Sequence, residues 1–337
     1  MALSSEILGL GAYVPKNIVT NQDLTKFFDT SDEWIQQRTG IKQRHWVEED
    51  QSTASIALEA AQAALENAKV KKEDLDMIIL ATLSAEHEFP GTACFLQGIL
   101  GVPGIPALDV RQQCCGFIYG MSIADQFIKT GSKKKILVVG SEVHSKGLDK
   151  SPNGREVTVL FGDGAGAVVM GPTTVSDPKK DSYLITTHLH ADGTYAKELW
   201  VPSPGLAQPG GRITKDHIDR GDIYPKMNGK VVFLHAVKRM PEAVMEALNA
   251  SQYKLEDVDL FIFHQANLRI NEGVAKQLGI SEGKVFNTID RFGNTTAATI
   301  PLGLSEAVKS GKLKKGMLVM SAAFGSGFTW ASALYRW

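Results

Sequence analysis

Across 337 residues, 36 lysines and arginines face 37 aspartates and glutamates, a net charge of −1 that points away from nucleic acid or an anionic membrane surface as the main partner. The 43% hydrophobic content suffices for a large core, yet no run of about 18 apolar residues occurs and the start, MALSSEILGLGAYVP, lacks a basic region and a long apolar stretch, so no membrane partner and a cytoplasmic protein are expected. Three cysteines (Cys94, Cys114, Cys115) are too few for a disulfide framework, which leaves thiols free for chemistry.

In chain order, the first periodic segment is an Ala-rich helix over about 52–68, followed by a run of strand-forming residues within 70–84 (VKKEDLDMIILATLS). A second helix ends at Leu100-Gly101, and the extended segment ALDVRQQ, with Asp109, leads to Cys114. Cys114 precedes an apolar-periodic helix, CGFIYGMSIADQFIKTG, and so lies at a helix N-terminus. There the macrodipole and unpaired N–H groups are expected to lower the thiol pKa and activate a nucleophile; a buried structural cysteine is the competing reading. ILVVGSE and FGDGAGAVVM then read as strand, Gly-rich turn, strand; FGDGAG lacks the lysine of a phosphate loop and sits between strands, so Asp163 is expected to brace a turn.

After Gly171-Pro172 much of this order repeats. His188 and His190 alternate on a strand and read as a surface pair, and 192–230, rich in Pro, Gly and charge, reads as a loop or cap bordering a substrate entrance. A helix over about 234–249 precedes 253–267 (YKLEDVDLFIFHQAN), which shares the Lys-x-Glu-Asp-x-Asp core and apolar run of 70–84. A helix ends at Leu278-Gly279, an extended segment is expected around Asp290, and the pattern closes with GNTT and the strand pair of 317–337. Two α/β halves follow, 1–171 and 172–337, each with a helix-covered parallel sheet. Cys114 and Asn294 end equivalent segments, and His264 ends a strand whose partner ends near Thr82. A pseudo-twofold axis would bring thiol, imidazole and amide into one pocket. No ligand spacing suggests a metal.

The motifs TSDEWIQQRTGIKQRH (30–45), EFPGTAC (88–94), DVRQQCCGF (109–117), FGDGAGA (161–167), HQANLRI (264–270), DRFGNTTAA (290–298) and AFGSGFTW (323–330) resemble those of the β-ketoacyl-acyl carrier protein synthase III family, end to end. The resemblance implies a thiolase fold: duplicated βαβαβ-type halves in five α-β-α-β-α layers. It implies decarboxylative condensation of an acyl-CoA primer with malonyl-acyl carrier protein, initiating fatty acid synthesis without a cofactor. Cys114 would be the acyl acceptor, and His264 and Asn294 the pair that promotes decarboxylation. Backbone N–H groups near Cys114 and Ser326 would hold an oxyanion, and Phe324 would position the carbanion. Coenzyme A would bind along Trp34, Arg38, Arg155, Gly229 and Asn267. Phe89 would close the partner's acyl pocket in a homodimer, and Arg269 and Lys276 would dock the acidic carrier protein.

Gln112, Gln113, Cys115 and Ser326 depart from the family's usual residues, and Glu86 and Glu88 flank the pocket-forming segment, which leaves the primer open. A second reading therefore keeps the fold but uses longer acyl chains for a secondary metabolite or a head-to-head condensation. A third treats Cys114-Cys115 as a redox pair in a binding protein, against the strain of a vicinal disulfide.

Overall fold

The computed structural model describes residues 3–207 and 210–337; positions 208 and 209 of the expected 192–230 cap lie outside the described residues. The first half runs β1 (Ser4–Tyr13), α1 (Asp32–Thr39), α2 (Thr53–Ala68), β2 (Met77–Ala81), α3 (Thr92–Leu100), β3 (Ala107–Val110), α4 (Gly116–Lys129), β4 (Ile136–Glu142) and β5 (Gly164–Thr173). The second runs β6 (Tyr183–Ala191), α5 (Gly229–Ser251), β7 (Leu260–Phe263), α6 (Leu268–Leu278), α7 (Thr299–Lys309), β8 (Leu318–Gly325) and β9 (Thr329–Arg336). One sheet is ordered β1-β5-β4-β2-β3 and the other β7-β8-β9-β6, so the strands repeat the same plan.

The sheets are mixed and not parallel throughout. β3, β2 and β4 run parallel, as do β7 and β8, but β5, β1, β9 and β6 enter antiparallel. Parallel neighbours need a crossover helix, and β8 reaches β9 through only 326–328. The link from β4 to β5 is also no tight turn: 143–163 holds a helical stretch at 152–158.

Packing assigns the layers. Five of the eight buried residues of α2 are alanine, and the helix lies so close to β1 that a Cβ at Gly11 would come within 2.2 Å of the Ala60 carbonyl oxygen. α2 and α3 cover the outer face of the first sheet, and α5 and α6 that of the second. α4 and α7 lie between the two sheets, and one apolar cluster runs through Ile79, Phe117, Ile118, Ile300 and Val319. The result is five layers with the ends of α4 and α7 at the centre. Burying aliphatic side chains of this kind contributes roughly 1.5–3 kcal/mol each.

The duplication fails at one strand. The counterpart of β3 is reduced to a bridge between Phe261 and Val285, and Asp290 lies in a short helix, Ile289–Phe292, instead of the extended segment expected. α5 also begins five residues before the expected start, at an Asn228 cap whose side chain accepts the Val231 N–H. His188 and His190 of β6 both reach Glu246 of α5, at 3.1 and 2.6 Å, and so tie a strand to its covering helix.

Candidate active site

Cys114 occupies a 3₁₀ turn, Gln113–Cys115, that feeds into α4, and the matching turn of the other half, Thr296–Ala298, feeds into α7. Gln113 and Thr296 both hold positive φ, +41° and +46°, a conformation that strains a non-glycine residue. That pairing makes Ala297 the counterpart of Cys114. Asn294 lies three residues earlier, so the expected equivalence of Cys114 with Asn294 is corrected. Cys114, His264 and Asn294 nevertheless line one cavity of about 970 Å³.

The electrostatics of the thiol differ from the expectation of a lowered pKa. Burial pushes the Cys114 thiol well above its ordinary value, and neighbouring Cys115 and Glu142 push the same way. The backbone N–H groups of Cys114 and Ser326 point at the sulfur and pull it down without winning. Desolvation is the larger effect because the side chain is almost wholly buried. The last residue of β8, Gly325, leans on Cys114: a Cβ there would sit 2.7 Å from Cys114 Cβ and 3.0 Å from Sγ. Cys115 is a separate free thiol; burial pushes it up to about 12 while the Thr329 hydroxyl pulls it down.

His264 follows β7, with its backbone N–H donated to the Ala322 carbonyl at 2.9 Å. Burial drives its pKa down to about 3, so the ring is neutral. Nδ1 lies 2.7 Å from the Thr299 hydroxyl, and Nε2 is buried without a partner among the described residues. The Thr299 hydroxyl is also 2.9 Å from the Thr296 carbonyl, and its single proton can serve either neighbour. Donation to Nδ1 puts the ring proton on Nε2, where it can be offered to a ligand. Asn294 is fixed by its main chain, whose N–H donates to Leu160 and whose carbonyl accepts from Gly162, and by its Oδ1, which accepts the Thr296 N–H at 2.9 Å. Its Nδ2 remains as a donor.

Two buried groups at the end of β4 were not expected. Glu142 accepts from the Ser84 hydroxyl at 2.6 Å, the Leu83 and Ser84 N–H groups and, across the halves, the Ala297 N–H at 3.5 Å; burial pushes its carboxyl up to about 7. His144, likewise driven down to about 3 by burial, contacts the Thr296 hydroxyl through Nε2 and packs on the Phe161 ring at 4.6 Å. Acidic and imidazole groups directly after an apolar strand run were the available signal. Asp163 ties the strand entering β5 to its surroundings by accepting the N–H groups of Val47, His144 and Ser145.

The cavity opens past Trp34, Arg38, Gly229, Asn267 and Arg269, and it is walled by Leu199, Trp200 and Met227 from the 192–230 segment. Arg155 is not on the wall but reaches it: its guanidinium lies 4.1 Å above the Trp34 ring, and that of Arg38 lies 4.5 Å away. Phe324 lines the cavity and meets the Phe328 ring in a tilted contact, centroids 4.8 Å apart, while Ser326 donates its hydroxyl to the Leu199 carbonyl. Arg269 and Lys276 share an exposed face of α6. Phe89 is 74% exposed and outside this cavity. Among the described residues, no cluster of three or more His, Cys, Asp or Glu could hold a metal ion, and no helix is long and apolar enough to cross a membrane.

Residues 248–337 match the family model described as 3-oxoacyl-[acyl-carrier-protein] synthase III C terminal, and residues 108–193 match that described as 3-oxoacyl-[acyl-carrier-protein] synthase III. The β-ketoacyl-[acyl-carrier-protein] synthase III of Escherichia coli O9:H4 is 43% identical over 332 residues, 98% of this chain and 99% of that protein. The crystal structure of 3-oxoacyl-[acyl-carrier-protein] synthase III from Aquifex aeolicus superposes with a TM-score of 0.88 at 42% identity, covering 99% of this chain and 100% of the other. The priming β-ketosynthase of the R1128 polyketide pathway gives 0.89 at 30% identity, covering 99% and 97%.

Proposed function

The chain belongs to the β-ketoacyl-[acyl-carrier-protein] synthase III family, and from that premise we propose that Cys114, His264 and Asn294 are its catalytic residues, in a two-step condensation. The fold is the thiolase fold, and the chain is an acyltransferase of fatty acid synthesis that uses coenzyme A thioesters and acyl carrier protein. The observation that carries the residue assignment is the orphaned His264 Nε2, buried in the cavity that also holds the Cys114 sulfur and the Asn294 amide.

In the first step the Cys114 sulfur attacks the acyl-CoA carbonyl. The C–S bond to coenzyme A breaks, and the thiol proton ends on the departing coenzyme. The N–H groups of Cys114 and Ser326 suit the oxyanion that forms on the way. In the second, the malonyl carboxylate leaves as carbon dioxide, and its bonding electrons become an enolate. Nε2–H of His264 and Nδ2–H of Asn294 stabilise the enolate oxygen, with Phe324 on the flank. The enolate carbon attacks the acyl-cysteine carbonyl, the new C–C bond expels the sulfur, and the thiolate takes a proton from solvent.

Coenzyme A enters beside Trp34, where its adenine replaces a stacked guanidinium of Arg38 or Arg155, with Gly229 and Asn267 along the channel. Arg269 and Lys276, on one exposed face of α6 with Arg269 at the mouth, suit the acidic carrier protein. Exposed Phe89 supports a homodimer in which it reaches the partner's pocket. The halves 1–171 and 172–337, with 192–230 as a cap on the second, a cytoplasmic setting and an absence of cofactor belong to the same reading. Identity of 43% along nearly the whole chain to a β-ketoacyl-[acyl-carrier-protein] synthase III weighs against the head-to-head alternative.

Intact-protein mass spectrometry after mixing with acyl-CoA tests the assignment. Cys114→Ser is expected to take no acyl group, whereas His264→Ala and Asn294→Ala load normally but lose carbon dioxide release from malonyl-carrier protein. Loading of the Cys114→Ser enzyme would overturn it.

A further inference from the structure

β4, β2 and β3 are neighbours in the first sheet and run parallel, so their C-terminal ends form one continuous wall of the cavity beside the nucleophile. Leu83 and Ser84 follow β2, Arg111 and Gln113 follow β3, and Val143 and His144 follow β4. This wall is distinct from the channel side built by α1, α5 and α6.

Three of the six carry hydrogen-bonding capacity that the fold does not use. His144 is 8% exposed; Nε2 meets the Thr296 hydroxyl, and Nδ1 has no partner among the described residues. The side-chain amide of Gln113 and the guanidinium of Arg111 bond to no described residue. Gln113 keeps its strained positive φ at this spot. An alkyl chain laid against such a wall would strip water from these groups and return nothing, whereas an oxygen would replace that water.

We propose that Arg111, Gln113 and His144 select a short acyl primer that carries oxygen beyond its thioester carbonyl, as a hydroxyl, keto or carboxylate group, over an alkyl primer of equal length. The inference rests on the acyl-cysteine reading and names its substrate class. Arg111 offers a charge-assisted pair to a carboxylate, and neutral His144 and Gln113 offer bonds to a hydroxyl or keto oxygen.

The test is single-turnover loading of the full chain with three four-carbon thioesters, butyryl-, 3-hydroxybutyryl- and succinyl-CoA, read as the mass added at Cys114. At least one oxygenated ester is expected to load about tenfold faster than butyryl or more. Butyryl loading as fast as both overturns the proposal while leaving the acyl-cysteine reading intact. No loading from any of them, acetyl-CoA included, overturns both. Arg111→Met, at an exposed position, should erase a succinyl advantage, and His144→Leu a hydroxybutyryl one. Ratios unchanged in both variants would overturn the assignment to these side chains.

Discussion

At the scale of single residues, the Cys114 thiol is a contest between desolvation and directed dipoles. Burial raises the Cys114 thiol, and the nearby Glu142 carboxylate adds repulsion to any thiolate. Glu142→Gln removes that charge and keeps the shape, so alkylation of Cys114 by iodoacetamide at a fixed neutral pH should speed up several-fold. An unchanged or slower rate would show that the carboxyl is protonated or too distant to matter. Thr299 makes a second case. Its hydroxyl decides which nitrogen of His264 carries the proton, so Thr299→Val should slow malonyl decarboxylation by about tenfold or more while Cys114 still loads. Equal losses in both half-reactions would instead mark a general packing defect. That Cys114, His264 and Asn294 would share one cavity was legible in the sequence, because Cys114 and Asn294 close segments of the repeat and His264 follows a strand. Glu142 and His144 were not, since a polar residue after an apolar run looks the same whether it faces solvent or a sealed cavity.

At the scale of elements, the internal repeat carried most of the fold. The Lys-x-Glu-Asp-x-Asp segments became matching 3₁₀ turns before β2 and β7, and Gly101 and Gly279 close α3 and α6 with φ of +74° and +73°. Where the copies have diverged, the repeat misled: Asp109 lies in a strand and Asp290 in a helical turn. Strand direction was also hidden, because it depends on whether a connection can cross over a sheet. β8 shows how closely an element can govern chemistry. Its last residue touches Cys114, and adding one methyl group at Gly325 must displace that side chain, since the contacts of 2.7 and 3.0 Å cannot be kept. Gly325→Ala should therefore fold, by circular dichroism, yet acylate about a hundredfold more slowly. Wild-type acylation in that variant would mean that β8 yields and leaves the sulfur in place.

At the scale of the whole molecule, enclosing the site between two sheets ties catalysis to acid stability. His144 and His264 are buried neutral, with pKa values near 3 against 6.5 in the unfolded chain. Below pH 6.5 only the unfolded state takes those protons, so stability falls as pH drops from 6.5 towards 3, by about 2 kcal/mol per ring on going from pH 7 to pH 5. His45, also lowered by burial, adds in the same direction. Glu142 has the opposite sign. With its folded pKa raised to about 7 above 4.5, the native state takes the proton first, and stability rises as pH falls from 7 towards 4.5, again by about 2 kcal/mol. The lowered surface carboxylates, such as Asp23, titrate below this window. Asp163 and Glu6, also raised by burial, act in the same direction as Glu142. Urea unfolding at fixed protein concentration should then show a change between pH 7 and pH 5 that is more destabilising in Glu142→Gln than in the wild type by about 2 kcal/mol, because the substitution removes the Glu142 contribution and leaves the other groups unchanged. Equal losses would mean that Glu142 is already protonated at pH 7 or still ionised at pH 5, and either outcome would remove its charge from the balance that sets the reactivity of Cys114.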